Sequence, residues 1–168
     1  MPNTYTLIAS STVATGTAAN FNFASIPSTY TDLVIKLSVR IDNTSTAYST
    51  IEFNGSAASF SCRWLDGSGS AASSGTTPSN TAFVSNWSGA TASTFSNVDI
   101  YIPNYAGSTN KSYSSDSVTE NNATAAYADL IAGLWSNTAA INQITLKPPA
   151  TTNFVQYSTA YLYGVKNA

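Results

Sequence analysis

The chain has 168 residues, enough for one domain with a continuous core. Only 8% of them are Asp, Glu, Lys or Arg, against about a quarter in ordinary soluble domains, and Ser, Thr and Asn stand in their place. A net charge of −2, with four Lys and two Arg scattered along the chain, withholds the attraction that nucleic-acid binding needs, while ten Tyr and seven Phe exclude a disordered polypeptide.

The predicted elements are strands from the outset. Met1-Pro2-Asn3-Thr4 leads straight into a strand-like segment at 5–10, with no charged region followed by an apolar one, so no signal peptide is expected. A second segment spans 20–26, closed by Pro27-Ser28. The clearest alternation follows. Leu33, Ile35, Leu37, Val39 and Ile41 interleave with Asp32, Val34, Lys36, Ser38 and Arg40, which predicts one face in a core and a more polar one in water or at an interface.

Further strands are expected at 49–54 and 59–65, separated by the turn residues Asn54-Gly55. The stretch 66–80 is built almost wholly of Gly, Ser, Ala, Thr and Pro and reads as the longest loop. After a segment at 81–87, Val98, Ile100 and Ile102 alternate with Asp99 and Tyr101 until Pro103. Segments at 111–120 and 127–135 follow, with room for one helical turn at 123–128 between them. Ile144 and Leu146 alternate with Gln143, Thr145 and Lys147 before Pro148-Pro149, and a last strand is expected at 157–165. About ten short strands in a single domain, 1–168, predict an all-β antiparallel sandwich, jelly-roll-like in kind. No apolar run approaches the ~20 residues of a membrane-spanning helix.

The same residues leave little for catalysis. Histidine is absent, which removes the commonest general base and metal ligand, so neither a Ser-His-Asp nor a Cys-His site can be built. Cys62 neighbours Arg63, a cation able to lower a thiol's pKa, but a small buried side chain on a strand is the plainer reading. A single cysteine also precludes an intrachain disulfide. Asp116 and Glu120 are four apart and would share a strand face, with Asp99 and Asp129 available to converge on them. A glycosidase needs two carboxylates across a cleft. Among eight acidic residues, such a spacing arises by chance.

Asp66-Gly67-Ser68-Gly69-Ser70 has one carboxylate where a calcium loop has several, and a turn is expected there. The Asn-x-Ser/Thr triplets at Asn43, Asn54, Asn86, Asn110 and Asn122 follow from composition. Trp64, Trp87 and Trp135 are expected in the core. Tyr101, Tyr127, Tyr161 and Tyr163 oppose apolar positions, and on a neutral hydroxyl-rich face they suit a protein interface or a sugar as well as a core. No catalytic residue, cofactor or metal is expected.

Two stretches carry a resemblance. Tyr5-Thr6-Leu7-Ile8-Ala9-Ser10 with Ser25-Ile26-Pro27-Ser28-Thr29-Tyr30-Thr31-Asp32-Leu33-Val34-Ile35, and the ending Ala160-Tyr161-Leu162-Tyr163-Gly164-Val165-Lys166-Asn167, resemble small virion proteins of tailed bacteriophages, especially phages of cyanobacteria and other aquatic bacteria. The resemblance implies a jelly-roll protein on the virion surface, made in the host cytoplasm and released by lysis. The leading expectation is a capsid decoration (cement) protein, whose partners are the major capsid protein and further copies of itself, a homotrimer being favoured. A tail-tip or tail-fibre head touching a host-surface glycan is the alternative, and a carbohydrate-binding module the alternative from another class.

Overall fold

The computed structural model describes residues 4–122 and 125–166. Through them run fourteen strands and no helix. In chain order they are β1 (Tyr5–Thr12), β2 (Thr17–Ala18), β3 (Phe21–Phe23), β4 (Asp32–Val39), β5 (Ala47–Phe53), β6 (Phe60–Gly67) and β7 (Ala72–Thr77). Then come β8 (Thr81–Ser85), β9 (Ser96–Ile102), β10 (Lys111–Val118), β11 (Ala128–Trp135), β12 (Ile144–Lys147), β13 (Phe154–Val155) and β14 (Thr159–Val165).

Eight of them form one antiparallel sheet in the order β1-β14-β4-β9-β10-β11-β6-β7. A four-stranded sheet, β3-β12-β5-β8, packs over its inner side, and β13 with β2 makes a two-stranded ribbon. The all-β sandwich expected from the alternating pattern is therefore present.

Period-two alternation explains which side each residue takes. Leu33, Ile35, Leu37 and Val39 of β4 point inward and are buried, and Ile41, just past the strand, continues them. Val98, Ile100 and Ile102 of β9 do the same. Between the sheets, Phe53 of β5 meets Trp135 of β11 edge-on at 5.5 Å and Phe60 of β6 at 5.4 Å. Tyr113 of β10 closes the cluster, its ring crossing Phe53 at 6.1 Å and its hydroxyl donating to the Thr81 carbonyl. Gly133 lies opposite Tyr113 on β11, and a Cβ there would sit 2.0 Å from the ring, so only glycine admits this tyrosine.

Several boundaries depart from the sequence reading. Residues 66–80 are not a single loop, because Ala72–Thr77 pairs with β6 as an edge strand. Its Ser/Thr/Gly composition carries no apolar period; the ladder itself, with Ser73 donating to Asp66, holds it. Of the proposed helical turn at 123–128, residues 123 and 124 lie outside the described residues, 125–127 are irregular, and Ala128 already belongs to β11. On the side of β4 expected to be polar, Asp32 and Val34 are buried. Asp32 accepts bonds from the Tyr101 hydroxyl and the Asn104 amide, both at 2.9 Å, which satisfies its carboxylate.

Two of the few cations serve the fold without a carboxylate. The Arg40 guanidinium donates to the carbonyls of Ser88, Ala90, Thr91 and Thr94, tying down the connection between β8 and β9. The buried Lys111 ammonium donates to the carbonyls of Gly107, Thr109 and Thr138.

Candidate interaction face

The four-stranded sheet covers only one side of the eight-stranded sheet. The opposite side faces outward, and the register fixes its rows. One row runs Ser10, Tyr161, Lys36, Asp99, Asp116, Leu130, Leu65, Ser74 across the eight strands. The next runs Tyr163, Val34, Tyr101, Ser114, Ala132, Arg63, Thr76 from β14 to β7.

This face collects the apolar surface of the molecule. Among the described residues, nine large apolar side chains stand exposed: Tyr5, Leu7, Leu65, Tyr101, Val118, Leu130, Leu134, Tyr157 and Tyr161. All but Tyr157 are on the outward side of the large sheet. Leu130 and Leu65, directly paired across β11 and β6, are 56% and 50% exposed. Solitary exposed leucines are ordinary, but these two stand side by side, on the side of the sheet that also exposes Leu134 and Val118.

In the middle of the face lies an open trough of about 610 Å³, lined by Arg63, Leu65, Tyr101, Asp116, Leu130 and Ala132 among others. Asp99 and Asp116 are direct cross-strand partners, a like-charge arrangement that costs stability. Lys36 takes the Asp99 carboxylate. Among the described residues nothing pairs with the side chain of Asp116, nor with that of Arg63 on the other side of β11. Donor, acceptor, aromatic ring and apolar floor are present together. That is the chemistry of recognition by hydrogen bonds, ion pairs and apolar contact.

The other residues singled out in the sequence go elsewhere. Cys62 points into the core, and burial pushes its thiol up. Arg63 is on the opposite face of the same strand, so it cannot activate the thiol. Glu120 does not share a strand with Asp116, because β10 ends at Val118; it accepts from the Asn122 amide at 2.7 Å. Asp129 does not converge with Asp99 and Asp116 either, since as the second residue of β11 it shares the inward side with Ile131 and Trp135. There it accepts from the Tyr48 hydroxyl of the other sheet at 2.8 Å, while its second oxygen is buried without a partner. Burial, with Asp66 nearby, raises its pKa to about 6 against the opposing effect of the Tyr48 bond. Tyr48 is itself pushed up by burial and by that carboxylate.

Asp66 forms no cation loop with its neighbours, and among the described residues no three acidic or thiol groups cluster as metal ligands do. Asn54 takes a positive φ of 53° in the turn, and its side-chain oxygen accepts from the amides of Asn142 and Gln143. Asn86 is fully buried, closed to any glycan. Trp135 and Trp87 are core residues, and Trp64 is half-buried at the edge of the core beside Tyr48. Tyr101 and Tyr161 are exposed on the outer face, Tyr163 is partly so, and Tyr127 packs against the core instead.

The comparisons add no relative: no protein-family model, no curated protein and no solved structure matches this chain.

Proposed function

We propose that this chain is a non-catalytic structural protein of a tailed-phage particle, a jelly-roll decoration protein on the outer surface of the major capsid shell. The observation that carries the reading concerns the stretches that resemble phage virion proteins. They lie far apart in sequence, yet they fold into the adjacent strands β1, β14 and β4. They also interlock. Tyr30 lies against Gly164 so closely that a Cβ would meet its ring at 2.3 Å, and the Thr31 amide donates to the Val165 carbonyl. A resemblance spread over unrelated surfaces would carry less weight than one that forms a single packed block.

Attachment follows from composition. With 8% charged residues, docking rests on hydroxyl hydrogen bonds and apolar contact, each a net 0.5–1.5 kcal/mol or so, summed over a broad area and over linked copies. The test is co-sedimentation of purified protein with expanded capsids lacking it, repeated in roughly 1 M sodium chloride, where the Debye length falls to about 3 Å. Retention in salt supports the reading. Failure to bind, or release by salt alone, overturns it. Turnover of polysaccharide or peptidoglycan that Asp99→Asn or Asp116→Asn abolishes would overturn its non-catalytic part.

A further inference from the structure

The outward face of the large sheet is uncovered, carries exposed leucines on β11 and β6, and among the described residues holds one unpaired cation and one unpaired anion, Arg63 and Asp116. From these we infer that its occupant is a second copy of this chain, docked face to face about a two-fold axis that lies in the interface above β11. The inference rests on reading this face as an assembly surface, and it names the partner.

Charge carries the argument. Arg63 stands one strand to one side of β11 and Asp116 one strand to the other, a row apart. With strands about 4.8 Å apart and residues about 3.4 Å apart, they are separated by roughly 12 Å and cannot meet within one copy. The midpoint between them falls on β11, at the step from Leu130 to Ala132. A two-fold axis through that point, in the plane of the interface and perpendicular to the Arg63–Asp116 line, brings Arg63 of each copy onto Asp116 of the other, twice, as an isologous interface requires. It also relieves the apposition of Asp99 and Asp116, since Lys36 already holds the first and the incoming guanidinium takes the second. Leu130, the most exposed apolar side chain of the patch, then packs on its own symmetry mate with Leu65 beside it.

With the axis above β11, the five strands from β9 to β7 overlap their mates over roughly 24 by 24 Å, some 580 Å² from each copy, the size of a weak, reversible interface.

The test is a charge swap read by sedimentation velocity or light scattering. Wild type should have the mass of two chains. Arg63→Asp and Asp116→Arg should each weaken self-association about tenfold or more, because close interfacial charge pairs couple strongly and each occurs twice. The double variant should restore the dimer. All these side chains are exposed, and circular dichroism of the variants confirms folding. Wild type that stays monomeric up to roughly 100 μM, above the micromolar limit of weak specific interfaces, overturns the inference. So does a three-chain mass, or an oligomer indifferent to both substitutions. Capsid co-sedimentation of the same variants is read separately: capsid binding by a monomeric wild type sinks the dimer and keeps the decoration reading, whereas a dimer that ignores capsids does the reverse.

Discussion

Along β10 and β11 every step of one residue changes sides, and the two sides obey different rules. Inward stand Tyr113, Ile131 and Trp135, interlocked with Phe53 and Phe60 and closed to water. Outward stand Ser114, Asp116, Leu130 and Leu134, open and in part unpartnered. The outward side in fact carries more apolar residues, Val118, Ala128, Leu130, Ala132 and Leu134, than the inward one. Leu130 and Ile131 are neighbours in sequence and alike in chemistry, yet Ile131 is buried in the core and Leu130 stands exposed. The difference teaches that here hydrophobicity alone does not mark the core; strand parity does.

The contrast can be broken most forcefully from inside. Trp135→Ala removes the ring that joins both sheets and should cost about 3–5 kcal/mol, with Leu37→Ala close behind at about 2–5 kcal/mol, by urea unfolding. A loss under about 0.5 kcal/mol at either site would put that side chain outside the core. Gly133→Ala comes next. Its methyl meets the Tyr113 ring, and the forced shift should cost about 1–3 kcal/mol, a loss that Tyr113→Leu in the same chain should partly relieve.

Asp129 sharpens the comparison with a smaller effect and the opposite sign. Its pKa in the fold, about 6, lies above the ordinary 3.8, so the folded state holds the proton more tightly than the unfolded one. This carboxyl's contribution is therefore fully favourable below about pH 4 and is lost as pH rises through about 6. Asp129→Asn should raise stability at pH 7 by on the order of 1 kcal/mol, and the gain over wild type should vanish by pH 4 in thermal melts. A gain that is the same at both pH values would show that the carboxyl is not charged in its buried place. Smallest is Leu130→Ser on the outer face, expected within about 0.5 kcal/mol of wild type at low protein concentration.

Much of the inner side was legible in the sequence. Leu33 to Ile41 and Val98 to Ile102 repeat with a period of two, and a sheet that buries one face must produce that period. β7 was not legible, because Ala72–Thr77 has no apolar alternation and exists through its pairing with β6. The candidate site was half visible. Asp99, Asp116 and Tyr101 stand out in the sequence, but spacing offers Glu120 as the partner of Asp116, whereas the register supplies Asp99 from the neighbouring strand. The unpaired state of Arg63 had no signal at all, since it depends on which strands flank β11. Parity does separate Asp129 from Leu130, and applied along β11 it would have turned Asp129 away from the site in advance.

The pairing of β1 with β14 joins Tyr5 to Val165, and β14 is flanked on its other side by β4. Contacts of such long sequence separation are the slow ones to form, because a large loop must close before any of them is rewarded. A growing chain therefore holds β1 and β4 with bare edges until the residues of β14 have left the ribosome, and the large sheet closes late, on the roughly millisecond-to-second scale of β topologies. Along β1, Thr6, Ser10, Ser11 and Thr12 bracket the apolar run of Leu7, Ile8 and Ala9, and polar residues of that kind disfavour the pairing of a bare edge with a neighbouring chain.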